Sequence, residues 1–336
     1  MSQVIASQVL ANGLRTEFTD TYSQIQNRQA DGRLAQVMDL GIGATNRVHE
    51  FAYFEAAPHM EQWVRGTTIP TDAFDSVQFS VPVYTWARRV PWHAEDRDDD
   101  QTSSLYDVAR MAGASAALLP ERFFFDLISG GTATLPAVPT APDGAAFFAT
   151  TDGGGGARFG VTDGNLLTGS GIASVSAIRT DYYNAIEQWK QYQDGKGQPL
   201  LDDATIDSGL IIIHAAADTE AMEEAFMQRR QGVLGPDNTT DAVTSVQVSN
   251  LVQDASRNVT LWGTQRLATG DWYAFLKNPP KKATFLLDRQ GVQEESSLRG
   301  ENNGDHTRNT GEEYVQWHRR AGAGIALPFG AIKINN

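Results

Sequence analysis

At 336 residues, 41% of them hydrophobic and 20% charged, the chain is long enough to bury a substantial core in one large domain or two, and it is not a disordered polymer. Its 27 basic and 41 acidic residues give a formal charge of −14, which excludes a surface built mainly to grip nucleic-acid phosphates. The absence of cysteine excludes disulfides, thiolate metal sites and cysteine nucleophiles.

In chain order, Val4, Ile5, Val9, Leu10, Leu14, Phe18, Tyr22 and Ile25 recur mostly at steps of three to five, which predicts a helix over 2–30. It either lies on its own domain or forms an arm that orders against neighbours. The N-terminus has neither the basic flank nor the apolar run of a signal peptide, and no window is apolar enough to span a bilayer, so no export signal or membrane anchor is expected.

From Val77 to Trp92 apolar and polar residues alternate over sixteen positions, about 50 Å of strand, well beyond the usual length. Pro82 and Pro91 cannot donate to a ladder, so this strand is expected on an edge or interrupted. With a strand at Trp63–Ile69 and the turn residues PTDAFDS between, 62–92 forms a candidate hairpin that needs a surface to lie on. Trp63, Phe74, Phe79, Tyr84, Trp86 and Trp92 concentrate on it, as aromatic residues do where subunits meet.

Five carboxylates follow, Glu95, Asp96, Asp98, Asp99 and Asp100. Hard cations prefer such oxygen ligands, but the glycine turn and distal glutamate of a calcium loop are missing, and acidic residues also favour a helix N-terminus with Thr102 or Ser103 as cap. The electrostatic cap is the preferred reading. Leu105, Val108, Ala112, Ala116, Leu119, Phe123 and Leu127 then mark one helical face, kinked or restarted at Pro120 and ended by Gly130-Gly131.

Residues 132–172 are rich in glycine, alanine, threonine and proline, with only the run Ala145–Ala149, with Phe147 and Phe148, expected in a core. A helix from Ser174, a buried strand at Leu210–His214 and a helix at Glu220–Arg230 come next. Strands are expected near 259–262, 272–276 and 283–287, with Pro279-Pro280 as the turn between the last two, then an exposed hairpin around the polar loop SLRGENNGDHTRNTGEE and a last strand over 325–334.

Catalytic chemistry finds no foothold. G-x-S-x-G is absent, the six histidines include no H-E-x-x-H pair, the four glycines at 153–156 lack a following Lys-Ser or Lys-Thr, and His214 reads as a core histidine. The residues alone give a mixed α/β protein with two projecting hairpins, no cofactor and no catalytic residue; α+β is the class that the resemblance below implies.

The run TWARRVPWHAEDRDDDQTSSLYDVARMAGASAALLPERFFFDLISGG, residues 85–131, resembles the major head subunit family of Mu-like phages. Asp143-Gly144 with Phe147-Phe148-Ala149-Thr150, Gly197-Gln198-Pro199-Leu200 before the strand at Leu210, and Gly270-Asp271-Trp272-Tyr273 follow in that family's order. Thr151-Asp152 stands where the family has a histidine, and His214-Ala215-Ala216-Ala217 where it has prolines.

The resemblance implies a Hong Kong 97-type capsid fold. It maps 1–50 to an N-terminal arm, 51–100 to the extended-loop hairpin, 101–140 to the spine helix of the peripheral domain and 141–255 to the axial domain. Return strands and a peripheral hairpin take 256–321, and 322–336 is the C-terminal strand of the axial domain. It further implies a phage major capsid protein, not an enzyme, that assembles with itself into hexamers and pentamers around double-stranded DNA, with portal, scaffold and decoration proteins as partners, in the host cytoplasm and then the virion. Trp63, Phe74, Phe79, Tyr84, Trp86, Arg88, Arg89 and Trp92 become its expected subunit interface. A tail or decoration component and a carboxylate-dependent metal enzyme are the alternatives.

Overall fold

The computed structural model describes residues 2–30, 32–54, 76–93, 95, 104–226, 258–277, 279, 281–298 and 310–336. The chain divides into two compact units. The first takes 1–52, 78–139 and 284–325; the second takes 53–77, 140–283 and 326–336.

The first unit is built on a four-stranded sheet in the order β1-β9-β10-β4: β1 is Met38–Gly43, β9 Thr284–Ser297, β10 Glu312–Ile325 and β4 Tyr84–His93. β1 runs parallel to β9, and the other neighbours are antiparallel. The expected sixteen-residue strand is broken at Val83: β3 (Ser76–Pro82) ends on its proline and pairs with β2 (Val48–Phe54), while β4 carries Pro91 on the sheet edge, where a missing N–H is tolerated. Both outcomes expected of Pro82 and Pro91 thus occur, one at each. The second hairpin does not project as expected. β9 and β10, 14 residues each, are the central strands of this sheet, because β10 accepts β4 on its far side; the polar turn at 299–309 lies outside the described residues.

Helix α1 (Ser2–Ala30) lies on one face of this sheet and against α3 (Ser104–Ala117); α2 (Leu34–Val37) is a single turn leading into β1. Leu10, Ala11, Leu14 and Phe18 meet Val90, Trp92, Ala109, Ala112, Val315 and Trp317 in a shared core. The buried Glu313 carboxylate accepts from Ser7 Oγ at 3.0 Å and from Trp92 Nε1 at 2.9 Å, which ties α1, β4 and β10 together. A Cβ on Gly113 would sit 2.6 Å from the Phe18 carbonyl oxygen, so only glycine lets the two helices approach this closely. The segment expected as an arm is therefore docked on its own unit.

The expected helix break occurs at Leu118, whose ψ of −1° closes α3 before α4 (Leu119–Ser129) restarts. Pro120 falls in the first turn of α4, where its missing N–H costs nothing. Gly130, at φ 69°, caps the end, and the Asp126 carboxylate accepts from the amides of Thr134 and Leu135, both at 2.6 Å.

The second unit carries a five-stranded sheet in the order β5-β11-β8-β6-β7. Its strands are β5 (Leu166–Thr168), β6 (Leu210–Ala215), β7 (Val259–Thr264), β8 (Trp272–Leu276) and β11 (Ala331–Asn335). β6 is buried at every position, as its apolar run predicts, and is flanked by parallel β7 and antiparallel β8. Helices α5 (Val175–Gln191) and α7 (Thr219–Phe226) cover it through Ile178, Tyr182, Trp189 and Met222, and α6 (Asp203–Asp207) is a short turn between. Ser174 caps α5 by accepting from the Ala177 amide at 3.2 Å. Two expectations change here. Pro279 lies in the connection between β8 and β9 as expected, but the two strands belong to different sheets. The apolar run 325–334 is divided by a turn at Pro328–Gly330 between β10 and β11.

The glycine-rich stretch is organised by one buried side chain. Arg158, 1% exposed, grips Asp143 through Nε (2.7 Å) and Nη2 (3.1 Å), and its Nη1 donates to the Phe147 carbonyl (2.8 Å) and Asn165 Oδ1 (2.7 Å). Asn165 Nδ2 in turn donates to the carbonyls of Phe147, Pro328 and Ala331. The loop thus folds around a guanidinium rather than a hydrophobic centre, although Phe147 is buried and stacked on Phe148 at 4.3 Å.

Burial also sets a limit at alkaline pH. It pushes the Tyr273 hydroxyl up to about 12, with the Asp271 charge adding to the shift, and raises Tyr192 well above its ordinary value. An unfolded tyrosine ionises near pH 10, so the stability these protons carry is complete below that pH and drains away as the pH climbs toward 12. Followed by circular dichroism, alkaline unfolding should begin above pH 10 and move to higher pH in Tyr273→Phe; an unmoved midpoint would remove this explanation.

Candidate functional site

The edge strand β4, with β10 beside it, carries most of the expected interface residues. Register pairs Trp92 with Glu313, Val90 with Val315, Arg88 with Trp317 and Trp86 with Arg319 on the helix-covered face. Pro91 pairs with Tyr314, Arg89 with Gln316 and Thr85 with Arg320 on the other.

These placements correct part of the expected interface. Trp92 is 2% exposed and belongs to the core, held there by its bond to Glu313. Trp86 is half-buried, donates from Nε1 to the Ala321 carbonyl at 3.0 Å and packs on Phe123 at 5.1 Å. Phe79 is half-buried against Phe51 at 5.3 Å. The Trp92 ring is taken up by its own core, while Trp86 and Phe79 stay partly exposed. Tyr84 is half-buried, and Arg88 and Arg89 are exposed. The Arg89 guanidinium lies 3.8 Å from the Tyr314 ring centroid and donates twice to Gln316 Oε1, at 3.2 and 3.0 Å. Trp63 and Phe74 lie outside the described residues.

Of the five carboxylates, Glu95 is exposed and Asp96, Asp98, Asp99 and Asp100 lie outside the described residues. Among the described residues no group of three histidines, aspartates or glutamates is placed to hold a metal ion. His214 is fully buried with Nδ1 2.8 Å from the Ala215 carbonyl. No described helix is long and apolar enough to cross a membrane.

One constellation escaped the sequence. Arg47, Arg289 and Arg320 line a cleft of about 410 Å³ with Val83, Tyr84 and Thr85, wholly within the first unit. They are far apart in the chain, and the pairing of β9 with β10 together with the pinned loop before β2 unites them; no local motif could announce them.

Residues 76–334, well over half of the chain, match the phage capsid protein family. The chain belongs to the phage capsid protein family. Its fold is similar to the capsid of an empty GTA particle (TM-score 0.54, 9% identity, 90% of this chain and 89% of that chain). It is similar also to the capsids of cyanophage P-SCSP1u (TM-score 0.51, 8% identity, 90% and 87%) and of mature bacteriophage PhiM1 (0.51, 8%, 91% and 87%). Among curated protein sequences none matches. The fold is the Hong Kong 97-type capsid fold, and the chain is a phage capsid protein, a structural protein of the virion.

Proposed function

We propose that this capsid protein assembles head to tail into the hexamers and pentamers of an icosahedral shell that encloses double-stranded DNA. The observation that carries this reading is the pairing of the capsid family match with a fold that leaves a sheet edge and its neighbouring arginines on the surface. Heterologous contacts repeated around a ring close by symmetry. Portal, scaffold and decoration proteins are its further partners, and the quoted motifs favour a Mu-like head subunit that folds in the host cytoplasm before assembly.

The part of the hairpin that reaches a neighbour is narrower than 62–92. Because β4 pairs within the sheet of its own unit, we assign the reach to 62–75, which lies outside the described residues and carries Trp63 and Phe74. Tyr84, Arg88 and Arg89 complete the interface. Replacing 56–74 by a short Gly/Ser linker is expected to leave circular dichroism and thermal unfolding of the free subunit essentially unchanged and to abolish particles in electron micrographs. Undiminished particle formation would overturn this assignment of the arm.

A further inference from the structure

The cleft bounded by Arg47, Arg289 and Arg320 is a collection of like charges that the chain does not neutralise. Among the described residues none of the three guanidinium groups has an ion-pair or hydrogen-bond partner, and all three residues are exposed. Asp288, next to Arg289 in the chain, is occupied: its Oδ2 accepts from Arg319 Nη2 at 2.7 Å. Arg320 instead pairs in register with Gln290 on one side and Thr85 on the other, neither of them charged.

The convergence is built by the backbone. β10 shifts register on both sides of Arg320, and such irregularities re-aim side chains. The loop bearing Arg47 is pinned twice, by the Ala44 amide on the Asp288 carbonyl at 3.3 Å and by the Val83 amide on the Arg47 carbonyl at 2.8 Å. Gly322 lets the β3–β4 junction close over β10, since a Cβ there would lie 2.3 Å from the Pro82 carbonyl oxygen. Guanidinium groups keep their charge at any working pH, so their mutual repulsion persists until an anion enters.

We infer that this cleft is an anion site for a second copy of the chain, and that it receives the acidic run Glu95–Asp100 of that copy. The inference rests on the self-assembly reading above. Arginine forks match carboxylates bidentately, and the run supplies five carboxylates in six residues. The cleft sits at the Thr85 end of β4 and the run follows the His93 end, eight residues or about 26 Å along the strand. Duplex DNA is a poorer occupant, because a convex rod with one charge per ~1.7 Å calls for a broad basic stripe rather than a concavity.

The test uses the full chain and a labelled peptide of residues 93–101. At low salt the peptide should bind the unassembled subunit saturably, and Arg289→Glu with Arg320→Glu should weaken it at least about tenfold. The same double substitution should remove particles from micrographs, and adding Asp98→Arg and Asp99→Arg should restore them. Both arginines are exposed, so circular dichroism of the variant should match wild type. Equal peptide binding by the variant, undiminished particles, failure of the acidic reversal to restore them, or preferential binding of a short DNA duplex in the cleft would each overturn the inference. If the wild type forms no particles, the self-assembly reading fails while the peptide measurement still decides the cleft.

Discussion

Arg158→Met is expected to destabilise the second unit by about 3–5 kcal/mol, the range found when one partner of a buried ion pair is removed. Four acceptor atoms lose a donor at once: both oxygens of Asp143, the Phe147 carbonyl and Asn165 Oδ1, of which Asp143 Oδ1, the Phe147 carbonyl and Asn165 Oδ1 each keep one other. The neighbouring backbone raises the stake. Phe159 is the one non-glycine residue among those described with positive φ, at 57°, a conformation that the surrounding contacts must impose. Its ring is held between the Arg158 guanidinium at 5.0 Å, Tyr192 at 5.0 Å and Phe329 at 5.9 Å. Arg158→Lys keeps the charge but not the planar fork, so it should recover only part of the loss. Urea unfolding gives the magnitude, and amide exchange over 141–168 gives the place. A loss under 1 kcal/mol for Arg158→Met would mean that the loop is held by something other than this side chain.

How far residues alone could reach is shown by where they failed. β6 and α5 were readable because a run of four apolar residues and a strict helical stripe report burial directly. The prolines at 82, 91 and 120 were readable because a missing N–H has few tolerated positions. Arg158 was not, since a lone arginine in a glycine-rich stretch looks solvated until Asp143 and Asn165 are brought round it. Trp92 misled for the converse reason: an aromatic on a hairpin signals burial but not whose core it enters, and Glu313, 221 residues away, decides that. The arginine cleft had no signal at all, because strand register and the pinned loop bearing Arg47 create it together. The fold family came from motif order, while the parts of the surface came only from packing.

The N-terminal helix supplies the other large effect. Phe18→Ala and Trp317→Ala are each expected to cost about 3–5 kcal/mol in the first unit, as aromatic truncations in close-packed cores do. The two rings stack at 4.3 Å with an interplanar angle of 2°, both are at most 4% exposed, and Tyr22 extends the stack at 6.0 Å from Phe18. Burial raises the Tyr22 hydroxyl above its ordinary value, which fits a ring enclosed rather than lying loose on the surface. Because the rings share one contact, the double variant should lose less than the two single losses added together. An arm ordered only by neighbouring subunits predicts otherwise: Phe18→Ala would leave the free subunit's unfolding unchanged and alter only the particle. Proteolysis of the free variant separates the two, since a helix released from α3 and β10 should be cut within 2–30 far faster than in wild type. Gly113→Ala acts on the same seam from the other side. It forces the Phe18 backbone outward without touching a ring, and should reproduce the proteolytic phenotype while leaving the aromatic stack chemically intact.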